Sequence, residues 1–251
     1  DGVELKEVNV VSRKLGTMKL RNSVMNEDMI SSAELSRAAC CNLGESFVTN
    51  PSVDVSYSDA ATGAKQIKLL GLSGTYVQML TENIPNYRGA AAPYGLGYVP
   101  GPWMQSIQVS KGISSVKNGY EAITGQINVE FKKPQLPEAD WVSANLFAST
   151  TNRYEANADA TLKLSKRWST SLLAHYENET KAHDGNDDGF VDIPQVEQYN
   201  VWNRWAYMGD HYVFQAGIKA LSETRTSGQA NHGGTMHSGD LYKVGIDTER
   251  Y

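Results

Sequence analysis

The feature that most restricts this chain is a period of two that begins after Pro137 and persists to the end. Tyr154, Ala156, Ala158, Ala160, Leu162 and Leu164 alternate with Glu155, Asn157, Asp159, Thr161 and Lys163. Val142, Ala144, Leu146 and Ala148 alternate with Ser143, Asn145 and Ser149. Four later runs repeat the pattern: Thr170 to Tyr176, Tyr199 to Tyr207, Tyr212 to Ile218 and Tyr242 to Ile246. Successive side chains of a strand point to opposite faces, so the alternation means strands with one apolar and one polar face. There are about six of them, of roughly 9–12 residues, the length a tilted strand needs to cross a bilayer.

The joints between these strands also alternate. Leu164 to Trp168 and Met208 to His211 suit tight turns, whereas Lys181 to Gln198 and Thr224 to Asp240 are long and polar. Short turns on one rim and long loops on the other are the habit of transmembrane barrels. Trp141, Tyr154, Trp168, Tyr176, Tyr199 and Tyr212 fall near strand ends, where an interfacial girdle would sit. A soluble antiparallel sheet with one wet face gives the same alternation, so the pattern alone leaves both readings open. The small and aromatic residues of the apolar set favour lipid.

Composition removes other classes. The 251 residues contain no apolar run long enough for a spanning helix, which says nothing against strands whose average is polar. A net charge of -5 and the lack of any basic run argue against nucleic acid. Asp1 opens without a charged-then-apolar leader, so any export signal is expected to have been removed. Cys40 and Cys41 are adjacent, where a mutual disulfide would be strained; one is expected to pack and the other to be partly exposed. Triad order, HExxH, P-loop and paired CxxC are all missing, so enzyme chemistry is not expected.

The first half reads as a small α+β domain with long loops. Glu4 to Val11 is a β-branched extended segment. Ser32 to Cys41 suits a helix and Asn42 to Phe47 a second one, stopped by Asn50-Pro51. Strand candidates are Ser52 to Ser56, Gln66 to Leu70, Tyr76 to Leu80, Ile107 to Ser110 and Gln126 to Phe131, with glycine-rich joints between them.

Five stretches of this half carry a resemblance. They are Leu43-Gly-Glu-Ser-Phe-Val-Thr-Asn-Pro, Gln66-Ile-Lys-Leu-Leu-Gly-Leu, Val77-Gln-Met-Leu-Thr-Glu-Asn-Ile-Pro, Met104-Gln-Ser-Ile-Gln-Val-Ser-Lys-Gly and Ser115-Val-Lys-Asn-Gly-Tyr-Glu-Ala-Ile-Thr-Gly-Gln-Ile-Asn-Val. In order and spacing they resemble the plug domain of TonB-dependent outer-membrane receptors. The resemblance implies a TonB-box segment and linker over 1–28, a plug over 29–136, and the first strands of a transmembrane β-barrel over 137–251. Receptors of this kind close at about 22 strands, so six are expected to form a partial barrel with open edges. Leu70 stands where the family usually has Arg, which puts plug-to-wall ion pairing there in doubt. Ser52 replaces a Gly, so the turn after Pro51 does not require positive φ.

Function follows from the resemblance. Leu5, Lys6, Glu7, Val8, Asn9, Val10, Val11 and Ser12 look like a TonB box, a segment able to add an edge strand to TonB. Tyr57, Asp59, Tyr87, Arg88 and Tyr94 lie on plug loops expected to face a ligand, although the tyrosines would serve equally to pack those loops on the wall. Asp184, Asn186, Asp188 and Asp192 occupy positions 1, 3, 5 and 9 of a calcium loop, with Gly189 at the turn and Gln195 in place of the bidentate Glu, so weak Ca²⁺ binding is expected. His232 and His237 are polar loop residues that could meet a soft metal. The expected protein is an energised importer of a small scarce nutrient, such as a ferric siderophore, cobalamin or haem. It would sit in the outer membrane of a Gram-negative bacterium, among lipid, with its plug facing the periplasm. A β-rich adhesion or signalling module without transport is the alternative.

Overall fold

The change of character near Pro134 separates two sheets. The computed structural model describes residues 17–19, 26–37, 41–47, 50–59, 61–72, 74–113, 119–134, 142–230 and 242–251. The Leu5–Ser12 segment, Cys40 and the histidines at 232 and 237 lie outside the described residues.

In chain order the first half forms β1 (Thr17–Lys19), β2 (Asn26–Ser31), α1 (Ser32–Arg37), the hairpin β3 (Val53–Asp59) and β4 (Ala64–Leu69), β5 (Val77–Thr81), β6 (Ile84–Pro85), α2 (Ala92–Gly95), β7 (Met104–Lys111) and β8 (Gly125–Phe131). One mixed sheet has the order β1-β2-β7-β8-β5-β6, with β5 parallel to β8, and β3-β4 stands apart as a hairpin. Two local turns fix this geometry. Glu82 and Asn83 both hold left-handed φ, 51° and 65°, as a two-residue hairpin between β5 and β6 needs. Gly125 has φ 155°, and a Cβ there would lie 2.1 Å from the Ser110 carbonyl oxygen, so no larger residue fits where β8 enters the sheet.

Two expectations change. The helix over Asn42 to Phe47 is only a 3-10 turn, Glu45–Phe47, because Gly44 and Asn50-Pro51 leave too few helix-forming residues between them. Part of the segment read as linker is sheet: β1 and the start of β2 both precede residue 29. Asn26-Glu27-Asp28 carries no strand signal of its own. It is held by cross-strand polar pairs, Lys111 Nζ to Asp28 Oδ2 at 2.6 Å and Ser110 Oγ donating to Glu27 Oε1 at 3.0 Å.

The second half is an antiparallel meander: β9 (Val142–Ala148), β10 (Tyr154–Lys163), β11 (Trp168–Glu179), β12 (Gln195–Met208), β13 (Val213–Gly228) and β14 (Lys243–Arg250). The turns at 164–167 and 209–212 share one rim, and the connections at 149–153, 180–194 and 229–242 share the other. The long connection after β13 starts later than expected, because Thr224 to Gly228 still pair with β14.

Facing decides between the two sequence readings. The polar set is buried and the apolar set is bare: Asn200 and Glu223 are 0% and 1% exposed, whereas Leu146 and Ile218 are each 80% exposed. A soluble sheet would bury the opposite face. The inward face packs on the plug, and the hydrophobic core runs from Phe47, Trp103, Ile107 and Phe131 into Leu173 and Leu221 of the wall. Phe131 meets Trp202 edge-to-face, with centroids 4.9 Å apart. The apolar outer face is therefore left for lipid.

Ala158 tests this directly, since it is exposed in mid-strand and paired with Ala144 and Ala174. Ala158→Arg should lower stability in lipid vesicles by about 2–4 kcal/mol, read from denaturant titration. A neutral effect, as on a wet surface, would contradict the lipid-facing assignment.

Candidate binding cleft between plug and wall

At the long-loop rim the plug and the wall part to leave a cleft of about 190 Å³. The plug lines it with Glu45, Tyr57, Lys65 and Tyr94; the wall lines it with Phe147, Arg153, Glu177, Glu179, Glu223 and Arg225, and the 180–194 loop adds Ile193 and Pro194. Each of these wall residues that lies in a strand sits where the alternation turns it inward. Glu177, Glu179, Glu223 and Arg225 occupy one parity at the rim ends of β11 and β13, so their side chains converge.

Arg153, in the turn before β10, organises the floor. Its guanidinium reaches Glu45 at 2.8 Å, Glu155 at 2.6 Å and Glu177 at 3.0 Å, joining the plug to two wall strands. Five N–H donors in a planar fork let one Arg serve several carboxylates. Burial would raise the Glu45 carboxyl, but the charge and hydrogen bond of Arg153, with Lys65 and the Cys41 N–H, bring it below the usual range. Burial lowers Lys65, with Arg153 and Arg225 adding to it against Glu45 and Glu177. His175 Nδ1 lies 2.8 Å from Asn157 Oδ1, and its ring meets Trp103 edge-on.

Further contacts follow the wall. Arg225 donates to the Thr62 carbonyl at 3.1 Å, pairs with Glu223 at 3.0 Å and lies over Tyr94. A Cβ on Gly63, where φ is 66°, would come within 2.9 Å of Pro194, so only glycine brings this plug loop against the wall. Asn200 donates to the Tyr98 carbonyl at 3.1 Å. Nearer the short-turn rim Arg204 pairs with Glu82 and Lys132 with Asp159, at 2.8 and 2.9 Å.

Of the expected ligand-facing residues, Tyr57 and Tyr94 line the cleft. Asp59 instead accepts from the Ala61 N–H and the Thr62 hydroxyl, shaping the turn. Tyr87 is buried against Tyr98 and under the Arg250 guanidinium, so it packs plug on wall; Arg88 is exposed and engages Glu121 at 2.9 Å, away from the cleft. Leu70 is exposed in a left-handed turn, and the plug-to-wall ion pairs are made elsewhere, by Glu45, Glu82 and Lys132. The charged wall residues were missed. Their signal was present as charges on the inward parity of the alternating strands.

Asp184, Asn186, Asp188 and Asp192 share one tight loop, where their oxygens accept from backbone N–H groups: Gly189 to Asp184 at 2.8 Å, Asp188 to Asn186 at 3.2 Å, Phe190 to Asp188 at 2.8 Å and Gly185 to Asp192 at 2.7 Å. Among the described residues no three His, Cys, Asp or Glu side chains converge as a cation would need.

A plug seated in an inside-out antiparallel wall, with a polar cleft at the long-loop rim, defines a plug-and-barrel architecture. Residues 19–126 match the family model for the TonB-dependent receptor plug domain, so this stretch of the chain is a plug domain of that kind. In fold the chain is similar to the ferric-catecholate import receptor Fiu from E. coli (18% identity, TM-score 0.61, 82% of this chain and 28% of that one). It is also similar to the pyoverdine outer-membrane receptor FpvA from Pseudomonas aeruginosa (15%, 0.62, 83% and 28%). The copper transporter OprC matches likewise (14%, 0.64, 87% and 34%). The chain thus spans about a third or less of the length of these structures. No curated protein matches it in sequence.

The Arg153 cluster carries a pH signature. A carboxyl depressed in the folded state contributes stability above its unfolded value, about pH 4.3, and loses it as pH falls through the depressed value. Glu45→Gln should therefore remove part of the loss of plug–wall stability between neutral and acid pH, followed by denaturant midpoint. Arg153→Met leaves buried Glu155 and Glu177 without their cation and should cost about 3–5 kcal/mol at neutral pH. A midpoint that Arg153→Met leaves in place would remove Arg153 from the plug–wall contact.

Proposed function

We propose that this chain is the plug-bearing part of an outer-membrane importer for a small, scarce nutrient. The cleft carries the reading, because plug and wall both contribute to its lining. A ligand bound there touches both bodies at once, so its binding energy can bias how they are held together. The long-loop rim then faces outward and the plug is reached from the periplasm. The segment Leu5 to Ser12 adds a strand to TonB, and backbone hydrogen bonds transmit the pull. The wall contacts of the plug combine a small shared apolar core with polar pairs, and hydrogen bonds of the polar kind can be exchanged for water when the plug is displaced and reseated.

Deleting Leu5 to Ser12 in the full-length receptor should abolish uptake of the co-purifying ligand, identified by mass spectrometry, while leaving its binding unchanged. Uptake that survives the deletion would replace the importer with a binding module.

The same reading extends to Ca²⁺ at Asp184, Asn186, Asp188 and Asp192, in a loop on the ligand-entry rim. The site would be weak, since those oxygens already accept from backbone N–H groups and Gln195 replaces the bidentate Glu. Millimolar Ca²⁺ should slow proteolysis of this loop, and Asp188→Ala should remove the effect. Equal cleavage in chelator and in Ca²⁺ would rule the ion out.

A further inference from the structure

The carboxylates around Arg153 are not balanced. Glu45, Glu155 and Glu177 all bind its guanidinium, so its positive charge is already shared three ways. Glu223 is taken by Arg225. Glu179 lies next on the same parity of β11, is 8% exposed, and lines the cleft. Among the described residues its hydrogen-bond contact is the Thr151 hydroxyl, 3.4 Å from Oε1, and that hydroxyl is also 2.8 Å from Ser149 Oγ. None of the ion pairs formed by the described residues includes it. A carboxylate held this far from water is costly unless a positive charge meets it.

Lys65, Arg153 and Arg225 also line the cleft and are engaged with Glu45, Glu177 and Glu223 or with the tyrosine rings, and apolar residues suited to an organic stem complete the lining. Phe147, Ile193, Pro194 and Val196 supply an apolar border that excludes water around a charged head, while the Tyr57 and Tyr94 rings are already faced by Lys65 and Arg225. The fold also fixes the site, since β11 places Glu179 at its last position and the 149–153 turn stands beside it. We propose that Glu179 is the recognition residue for an ammonium or guanidinium group on the cargo. This rests on the cleft being the ligand site, and it narrows the cargo to molecules that carry such a group at one end.

The test uses the full-length receptor in lipid nanodiscs and two probes of one shape, n-butylguanidinium and neutral n-butylurea, followed by titration calorimetry. Butylguanidinium should bind saturably and roughly tenfold or more tighter than butylurea, as an ion pair to a buried carboxylate predicts. Glu179→Gln, nearly isosteric, should abolish that preference, and Glu179→Asp should keep part of it. Unchanged thermal unfolding of both variants confirms that the cleft is intact. Equal binding of the two probes, or a preference that survives Glu179→Gln, overturns the proposal. Displacement of butylguanidinium by millimolar Mg²⁺ would also overturn it, by making a bare metal ion the occupant. Deleting Leu5 to Ser12 must leave the probe preference as it was, so failure of transport and failure of cation recognition are separate results.

Discussion

The arrangement depends on one guanidinium. Arg153 leaves the first outer turn of the wall and binds a plug carboxylate together with two wall carboxylates. Without that charge, Glu155 and Glu177 would face each other at adjacent inward positions of paired strands, Glu155 opposite Glu177 in the register. Like charges directly opposed in a ladder are destabilising. The wall is therefore built to need a cation at this point, and the plug acid Glu45 takes up the guanidinium's remaining reach. Wall assembly and plug docking share one group.

The sign of the plug–wall contacts is informative. At two of the three cross-body ion pairs described here, the plug supplies the acid and the wall supplies Arg: Glu45 with Arg153, and Glu82 with Arg204. Arg204 also donates to the Lys132 carbonyl and stacks on Trp202, so it is fixed before Glu82 arrives. Leu70 fits this arrangement. A cation in the strand ending at Leu69 is not required where the wall carries its own, and the exposed left-handed turn at residue 70 points away from these contacts. The departure from the family pattern is compensated by a different placement of charge.

Much of the wall was legible in the sequence, because a period of two survives any tertiary context that keeps one face apolar. Strand number, the short and long rims and the lipid-facing set all follow from residues such as Leu146, Ala158 and Ile218. The plug was legible through the order and spacing of its five motif stretches, one of which includes Gly125, where no larger residue fits. Sequence did not expose β1 and β2, whose pairing rests on contacts to Lys111 and Ser110 more than eighty residues away. It also placed Tyr87 and Arg88 in the ligand site. A left-handed φ at Tyr87 accompanies a ring packed on Tyr98 and under Arg250, a consequence of backbone geometry that side-chain type does not announce.

Lys219 shows how the same inside-out logic limits rigidity. It is an inward wall residue lying between Trp103 of the plug and Trp202 of the wall, 5.8 and 5.9 Å from the two rings. Its other contacts are the Tyr87 hydroxyl and the Tyr98 carbonyl at 3.4 and 3.5 Å, both long for hydrogen bonds. A cation held by ring faces and a distant carbonyl tolerates sliding better than one locked in a bidentate carboxylate pair, because its attraction varies slowly with position. The plug thus meets the wall through two kinds of contact. Ion pairs at Glu45, Glu82 and Lys132 set its position, and the Trp103–Lys219–Trp202 stack between them lets that position change without leaving a bare charge behind.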